Sequence, residues 1–215
     1  MRVARVNLVK STALICITVC ISDVIVLLLS GCYYPGYRQL ERTMSSLGAS
    51  ESPVSEFISA WWIFIGIVFI FFGIIFRKAF GGNHKNVRLA SLLLILYGLG
   101  EGIGSGVFKA DRIAGKMTDS FVMHDIAGGI GVIAALILPL IMKEVIIEGN
   151  KPGFTLLSRI IFTIGFITML LFTIHFSSDE NNFIVFYKGL WQRLFMLNLY
   201  VYFIVISAIM YHKNI

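Results

Sequence analysis

Residues 63–76 read IFIGIVFIFFGIIF, a run with no charged or strongly polar side chain. Strands of a membrane barrel alternate lipid-facing and lumen-facing residues, so a segment apolar on every face excludes that architecture. A helix apolar all round must sit inside a large core or in lipid. Outward from this run, five more stretches reach the roughly 20 mostly apolar residues that a bilayer-crossing helix needs. The six spans are 8–30, 57–76, 89–107, 121–142, 156–176 and 190–211. The expected fold is all-α: a polytopic membrane protein with a single six-transmembrane-helix bundle over residues 1–215.

Composition agrees. Hydrophobic residues make up 57% of the chain and charged residues 14%, and mean hydropathy is +0.84. Soluble domains carry about 25% charged residues, so lipid supplies the polar shell's place here. The net charge of +6 does not indicate nucleic acid, because the basic residues form no stripe and sit in short connectors. They are instead distributed by side. Arg2, Arg5, Lys10, Arg77, Lys78, Lys85, Arg88, Lys143, Lys151, Arg159 and Lys213 fall on the side of both termini. Arg38, Arg42, Lys109, Arg112, Lys116 and Lys188 fall opposite, with Arg193 just inside the sixth span. The bias of 11 to 6 places both termini in the cytoplasm of a cell-membrane protein.

Cys16 and Cys20 lie within the first span as small hydrophobes, and no disulfide framework is expected. Leu29-Ser30-Gly31-Cys32 fits a lipobox, with cleavage and lipidation at Cys32. The long apolar stretch and Asp23 favour an uncleaved first span instead.

Polar residues concentrate on the outer side. The first loop reads GCYYPGYRQLERTMSSLGASESPVSE, far beyond an ordinary connection of about 4–6 residues. Leu40, Met44 and Leu47 recur at helical spacing and predict a short interfacial helix over 38–47, ended by Gly48. This segment is expected to close over the outer cluster as a lid. The third span ends YGLGEGIGSGVF, where Gly98, Gly102 and Gly106, and separately Gly100 and Gly104, form two small faces. The fourth span opens HDIAGGIGVIAA with Ala127, Gly131 and Ala135 as a small face, so these helices should pack tightly. Glu101 then lies about 9 Å and Asp23 about 12 Å inside the outer end of their spans. An unpaired charge at such depth costs at least about 2.5–3.5 kcal/mol. Donors are available in Arg193, Arg42, Arg38 and His124, and a Glu101–Arg193 pair is the leading expectation.

Plain structural roles compete at each position. A buried ion pair can serve helix register alone. Asp125 can cap the fourth helix. Tyr33, Tyr187 and Trp191 read as an interfacial aromatic belt. His84 and His212 fall on the opposite side and are unrelated.

With these motifs in view, the chain resembles the bacterial multi-pass membrane family called domain of unknown function 998. The resemblance rests on YPGYRQLERTMSSLGASESP from Tyr34 to Pro53, on Trp61 and Trp62, on the Gly/Glu-rich end of the third span and on the His-initiated fourth. A Gly-Leu-x-x-Arg start to the sixth span (Gly189, Leu190, Arg193) agrees. It implies a bacterial inner-membrane protein without an established biochemical activity, and no mechanism.

Three functions follow from the residues. The first is binding of a lipid head group or small solute at the outward-facing buried polar cluster, with Arg42, Glu101, His124, Asp125, Arg193, Asp23, Arg38 and Glu41 as ligand-contacting candidates. The second is a membrane-embedded lipid hydrolase or transferase. There His124 would be general base, Asp125 or Asp23 its orienter, and Arg193 the stabiliser of developing negative charge. The third is a structural or assembly partner of other membrane proteins, or a homo-oligomer, using the glycine faces. No cofactor or metal is expected. His124, His175, Glu101 and an outer Asp could be ligands, but no clustered-His spacing supports them. A haem between His124 and His175 lacks further support, and transport lacks a broken-helix pair or inverted repeat.

Overall fold

The computed structural model describes residues 2–82, 84–146, 152–173 and 182–213, with side chains from residue 6 onward. Asn83, Lys151 and His175 lie outside the described residues. Among the described residues, six helices are long and apolar enough to cross a membrane: Val6–Cys32, Ser55–Ala79, Lys85–Val107, Asp119–Val145, Pro152–Thr173 and Lys188–His212. Every sequence-predicted span falls on one of them, and the helices run a few residues further at most ends. The fifth is described only to Thr173.

Each span packs against its neighbours in sequence, and the sixth returns to the first, so the helices form a closed ring in chain order. Apolar residues such as Ile21, Ile25, Phe64, Phe71, Ile133 and Val201 face outward and remain exposed, as a lipid-facing surface requires. The half of the ring nearest the termini is filled solidly. Phe72, Phe76, Leu94, Leu138, Met142, Tyr202 and Phe203 are almost wholly buried there. Ser91 Oγ donates to the Gly73 carbonyl at 2.7 Å, and Ser158 and Tyr202 share a hydrogen bond at 2.8 Å.

Glycines set the spacing around the third span. Gly98, Gly102 and Gly106 face the second span, where a Cβ on Gly98 would sit 2.5 Å from the Gly66 carbonyl. Gly100 and Gly104 face the fourth span and meet Ala127 and Gly131. The expected tight packing of spans three and four is present, and the second small face belongs to span two. Between Gly98 and Gly104 the third span widens into a π-helical turn, a local form often found at functional sites.

The face bearing the first loop is capped. The expected helix over 38–47 is shorter than its spacing suggested, a 3₁₀ turn at Met44–Leu47. The Arg38 carbonyl accepts both the Glu41 and Arg42 N–H groups at 3.1 and 2.9 Å, closing a separate turn. Thr43 is then extended (φ −65°, ψ 155°), which breaks any continuous helix. Leu40 therefore leaves the stripe and is 49% exposed, whereas Met44 and Leu47 are buried. Sequence reasoning also missed a hairpin in the second loop on this face, Arg112–Ile113 against Lys116–Met117. Its turn needs positive φ at Ala114 and Gly115, the pattern of a two-residue hairpin turn.

Candidate functional site

A cavity of about 1170 Å³ occupies the capped half of the ring and is lined by residues of all six spans and the two capping loops. That is somewhat above the roughly 300–1,000 Å³ usual for ligand sites.

The first loop folds as a cap because Arg193 and the loop clasp each other. Arg193 is 8% exposed. Its Nη1 donates to the Arg42 and Gly189 carbonyls at 3.0 and 3.1 Å. Its Nη2 donates to Tyr37 Oη and Gln39 Oε1, both at 2.6 Å. Leu190 N–H donates to the Leu40 carbonyl at 2.8 Å, and Met44 N–H to Gln192 Oε1 at 2.7 Å. Gly189 lies so close to the Arg42 and Gln39 carbonyls that no side chain fits there. The Gly-Leu-x-x-Arg start of the sixth span and the Tyr37–Met44 part of the first loop are thus two halves of one fastening. Tyr37 Oη completes it by donating to the Thr43 carbonyl at 3.0 Å. Burial pushes the Tyr37 phenol above its ordinary pKa, and the Arg193 cation partly offsets this.

Two further ties hold the cap. Asp111 accepts from Ser50 N–H and Ser50 Oγ, each at 2.7 Å, joining the first loop to the hairpin. Lys109 Nζ reaches Ser55, Ser59 and Glu56 at 2.8–3.0 Å, joining the hairpin's approach to the second span.

This arrangement corrects the leading expectation. Glu101 and Arg193 form no ion pair, because the guanidinium is occupied by the loop and Arg193 does not line the cavity. Arg38 also lies away from the cavity, in a surface ion pair with Glu41 at 3.0 Å, an exposed type of contact worth about 0–1 kcal/mol. Glu41 and Arg42 do border the cavity. Arg42 lies 5.6 Å from the Tyr34 ring centroid and donates to Tyr34 Oη at 3.3 Å.

The remaining candidates line the cavity together. Asp23 is 2% exposed, and its partners are not the cations expected from sequence. Trp61 Nε1 and Tyr200 Oη donate to its two oxygens at 2.7 and 2.6 Å. Neither donor carries a signal in the sequence that marks it as a partner of Asp23. His124 is buried, and its Nδ1–H donates to the Phe108 carbonyl at 2.9 Å. A carbonyl can only accept, so in the neutral ring Nε2 is left as the acceptor. The proposed carboxylate orienter of His124 is therefore replaced by a backbone carbonyl. Asp125 is exposed to the cavity and is not the helix cap. That role belongs to Thr118, whose side chain accepts from Phe121 N–H at 3.1 Å.

Glu101 stands within the π-helical turn, facing the cavity, with no hydrogen bond or ion pair from any of the described residues. Ser105, one turn on, is 6% exposed and also lacks a partner among them. Opposite both is Gly128, where a Cβ would lie 3.1 Å from Glu101 Oε2 and 3.2 Å from Ser105 Oγ. Among the described residues, no three of His, Cys, Asp and Glu converge as metal ligands.

Searches of curated proteins and of solved structures return no match. Residues 17–209 match the model of a family described as protein of unknown function (DUF998).

Proposed function

The chain belongs to that DUF998 family, which carries no assigned activity, and from its capped cavity we propose that it binds a membrane lipid head group or a small solute. The observation that carries this reading is Glu101. A carboxylate held in a roomy cavity, well inside a span and without a protein partner, is costly unless a guest or water meets it. By contrast, Asp23, Arg193, Lys109 and Asp111 each have several hydrogen-bond partners within the protein. The distribution of Lys and Arg supports an outward capped face with cytoplasmic termini. The cavity then opens toward the outer leaflet.

Binding is better supported than hydrolysis. His124 has an available Nε2, but its other nitrogen rests on a carbonyl, and Arg193 is committed to the loop. Among the described residues, no oriented acid, base and anion stabiliser converge. An assembly role through the glycine faces is also less supported, because those faces are used within the ring.

The test is native mass spectrometry of the protein released from membranes. A bound lipid or solute should accompany the wild-type chain and be lost when Ser105→Phe drives a ring into the space beside Glu101 and Gly128. Equal adducts on both proteins would refute the reading.

A further inference from the structure

We propose that the guest carries a primary ammonium group, and that its cationic end is received by Glu101 and Ser105. The inference rests on the binding reading above and adds the chemical class. From Glu101 outward to the Phe108 carbonyl the cavity offers acceptors. The Glu101 carboxylate accepts only, the Ser105 hydroxyl can accept, and His124 Nε2 presents a lone pair because Nδ1–H is committed to the Phe108 carbonyl at 2.9 Å. None of the three has a protein donor among the described residues, and all three border the cavity. Ser105 is buried to 6% exposure, so its unmet hydroxyl faces the cavity and not bulk water. Gly128 keeps open the space beside Glu101 Oε2 and Ser105 Oγ.

An ammonium group has three donors and no acceptor. It therefore suits the paired acceptors Glu101 and Ser105 beside Gly128, and it neutralises a carboxylate that would otherwise stand alone in the membrane. Trp62, whose ring lies 6.5 Å from that of His124, adds an aromatic face of the kind that attracts cations. An anionic group at this depth would meet the carboxylates of Glu101 and Asp23 instead. The cations bordering the cavity, Arg42, Arg112 and Lys188, come from the two loops and from the first residue of the sixth span. The same chemistry is offered by a free amine and by an amine-bearing lipid head group.

The test uses the full chain in maltoside micelles, with intrinsic tryptophan emission as readout. Propylamine, propanol and propionate are compared, as are dihexanoyl phosphatidylethanolamine and dihexanoyl phosphatidylglycerol. Saturable responses to propylamine, with propanol and propionate inert, support the proposal. A further preference of about tenfold or more for the ethanolamine over the glycerol lipid identifies the head group as the source, and its absence points to a free amine. Glu101→Gln, which keeps the shape and removes the charge, should weaken amine binding about tenfold or more without lowering the unfolding temperature. Amine affinity within about twofold of wild type in that variant, or propanol binding as well as propylamine, overturns the proposal. If the glycerol lipid binds, is expelled by Ser105→Phe and ignores Glu101→Gln, the ammonium assignment fails while the cavity remains a binding site. If Ser105→Phe displaces nothing, the binding reading itself fails.

Discussion

Replacing Arg193 by Leu should detach the first loop from the bundle. The wild-type guanidinium makes four hydrogen bonds, to Tyr37, Gln39 and the Arg42 and Gly189 carbonyls. Hydrogen bonds involving a charged group contribute about 1.5–3 kcal/mol each, but they share one side chain and do not add. Arg193→Leu strands neutral acceptors and no opposite charge, and an unsatisfied buried group costs about 1–3 kcal/mol, so the expected loss is about 3 kcal/mol. The remaining fastenings, Met44 to Gln192 and Leu190 to Leu40, keep the loop nearby but loose. Chemical unfolding in micelles would measure the loss, and hydrogen exchange at the Leu190 and Met44 amides would locate it. Arg193→Lys should fall between, since an ammonium cannot reproduce the planar fork. A loss below about 1 kcal/mol, with those amides still protected, would refute the clasp.

Four other outcomes follow from the same contacts. Glu101→Gln combined with Arg193→Leu should show a double-mutant coupling within about 0.5 kcal/mol, because the two do not touch; a coupling of 2 kcal/mol or so would restore the ion pair. Tyr200→Phe should cost about 1–3 kcal/mol in unfolding measurements by leaving one Asp23 oxygen without its donor. Gly102→Leu should prevent spans two and three from closing and lower the yield of folded protein, whereas Gly129→Ala, with open space around it, should be neutral by thermal melting. The raised folded pKa of Tyr37 favours the protonated phenol, so its contribution is complete below the unfolded value of about 10 and declines as pH rises past it. Protection of the first loop should accordingly be flat from neutral pH to about 9 and fall above 10, and Tyr37→Phe should remove that alkaline step.

The spans were legible because hydropathy over some 20 residues is a strong local signal, and the small faces of Gly98–Gly106 were legible from their spacing. Contacts across the ring were not. Arg193 and Glu101 sit at similar depths, which suggested a pair. Depth along a helix does not say which way a side chain turns, and Arg193 turns to the loop. The Asp23 partners were hidden for a related reason: Trp61 and Tyr200 look like interfacial or core aromatics until the first, second and sixth spans are placed side by side. The hairpin at Arg112–Met117 left only Ala114-Gly115 as a turn signal, weaker than the Asn-Gly or Asp-Gly pairs that mark such turns. The lid was visible as an overlong loop with Met44 and Leu47 to bury. What fastens it, Gly189 and the Arg193 fork, became readable only once the sixth span stood beneath it.

Whether the capped cavity holds a guest at Glu101 can be seen in an experimental density map of the protein extracted from its own membrane into nanodiscs. Continuous non-protein density in the cavity, reaching the Glu101 carboxylate and the Ser105 hydroxyl beneath a closed first loop, is the expected result. A cavity collapsed by inward side chains, or Glu101 neutralised by a protein donor with only isolated waters beside it, would contradict the claim.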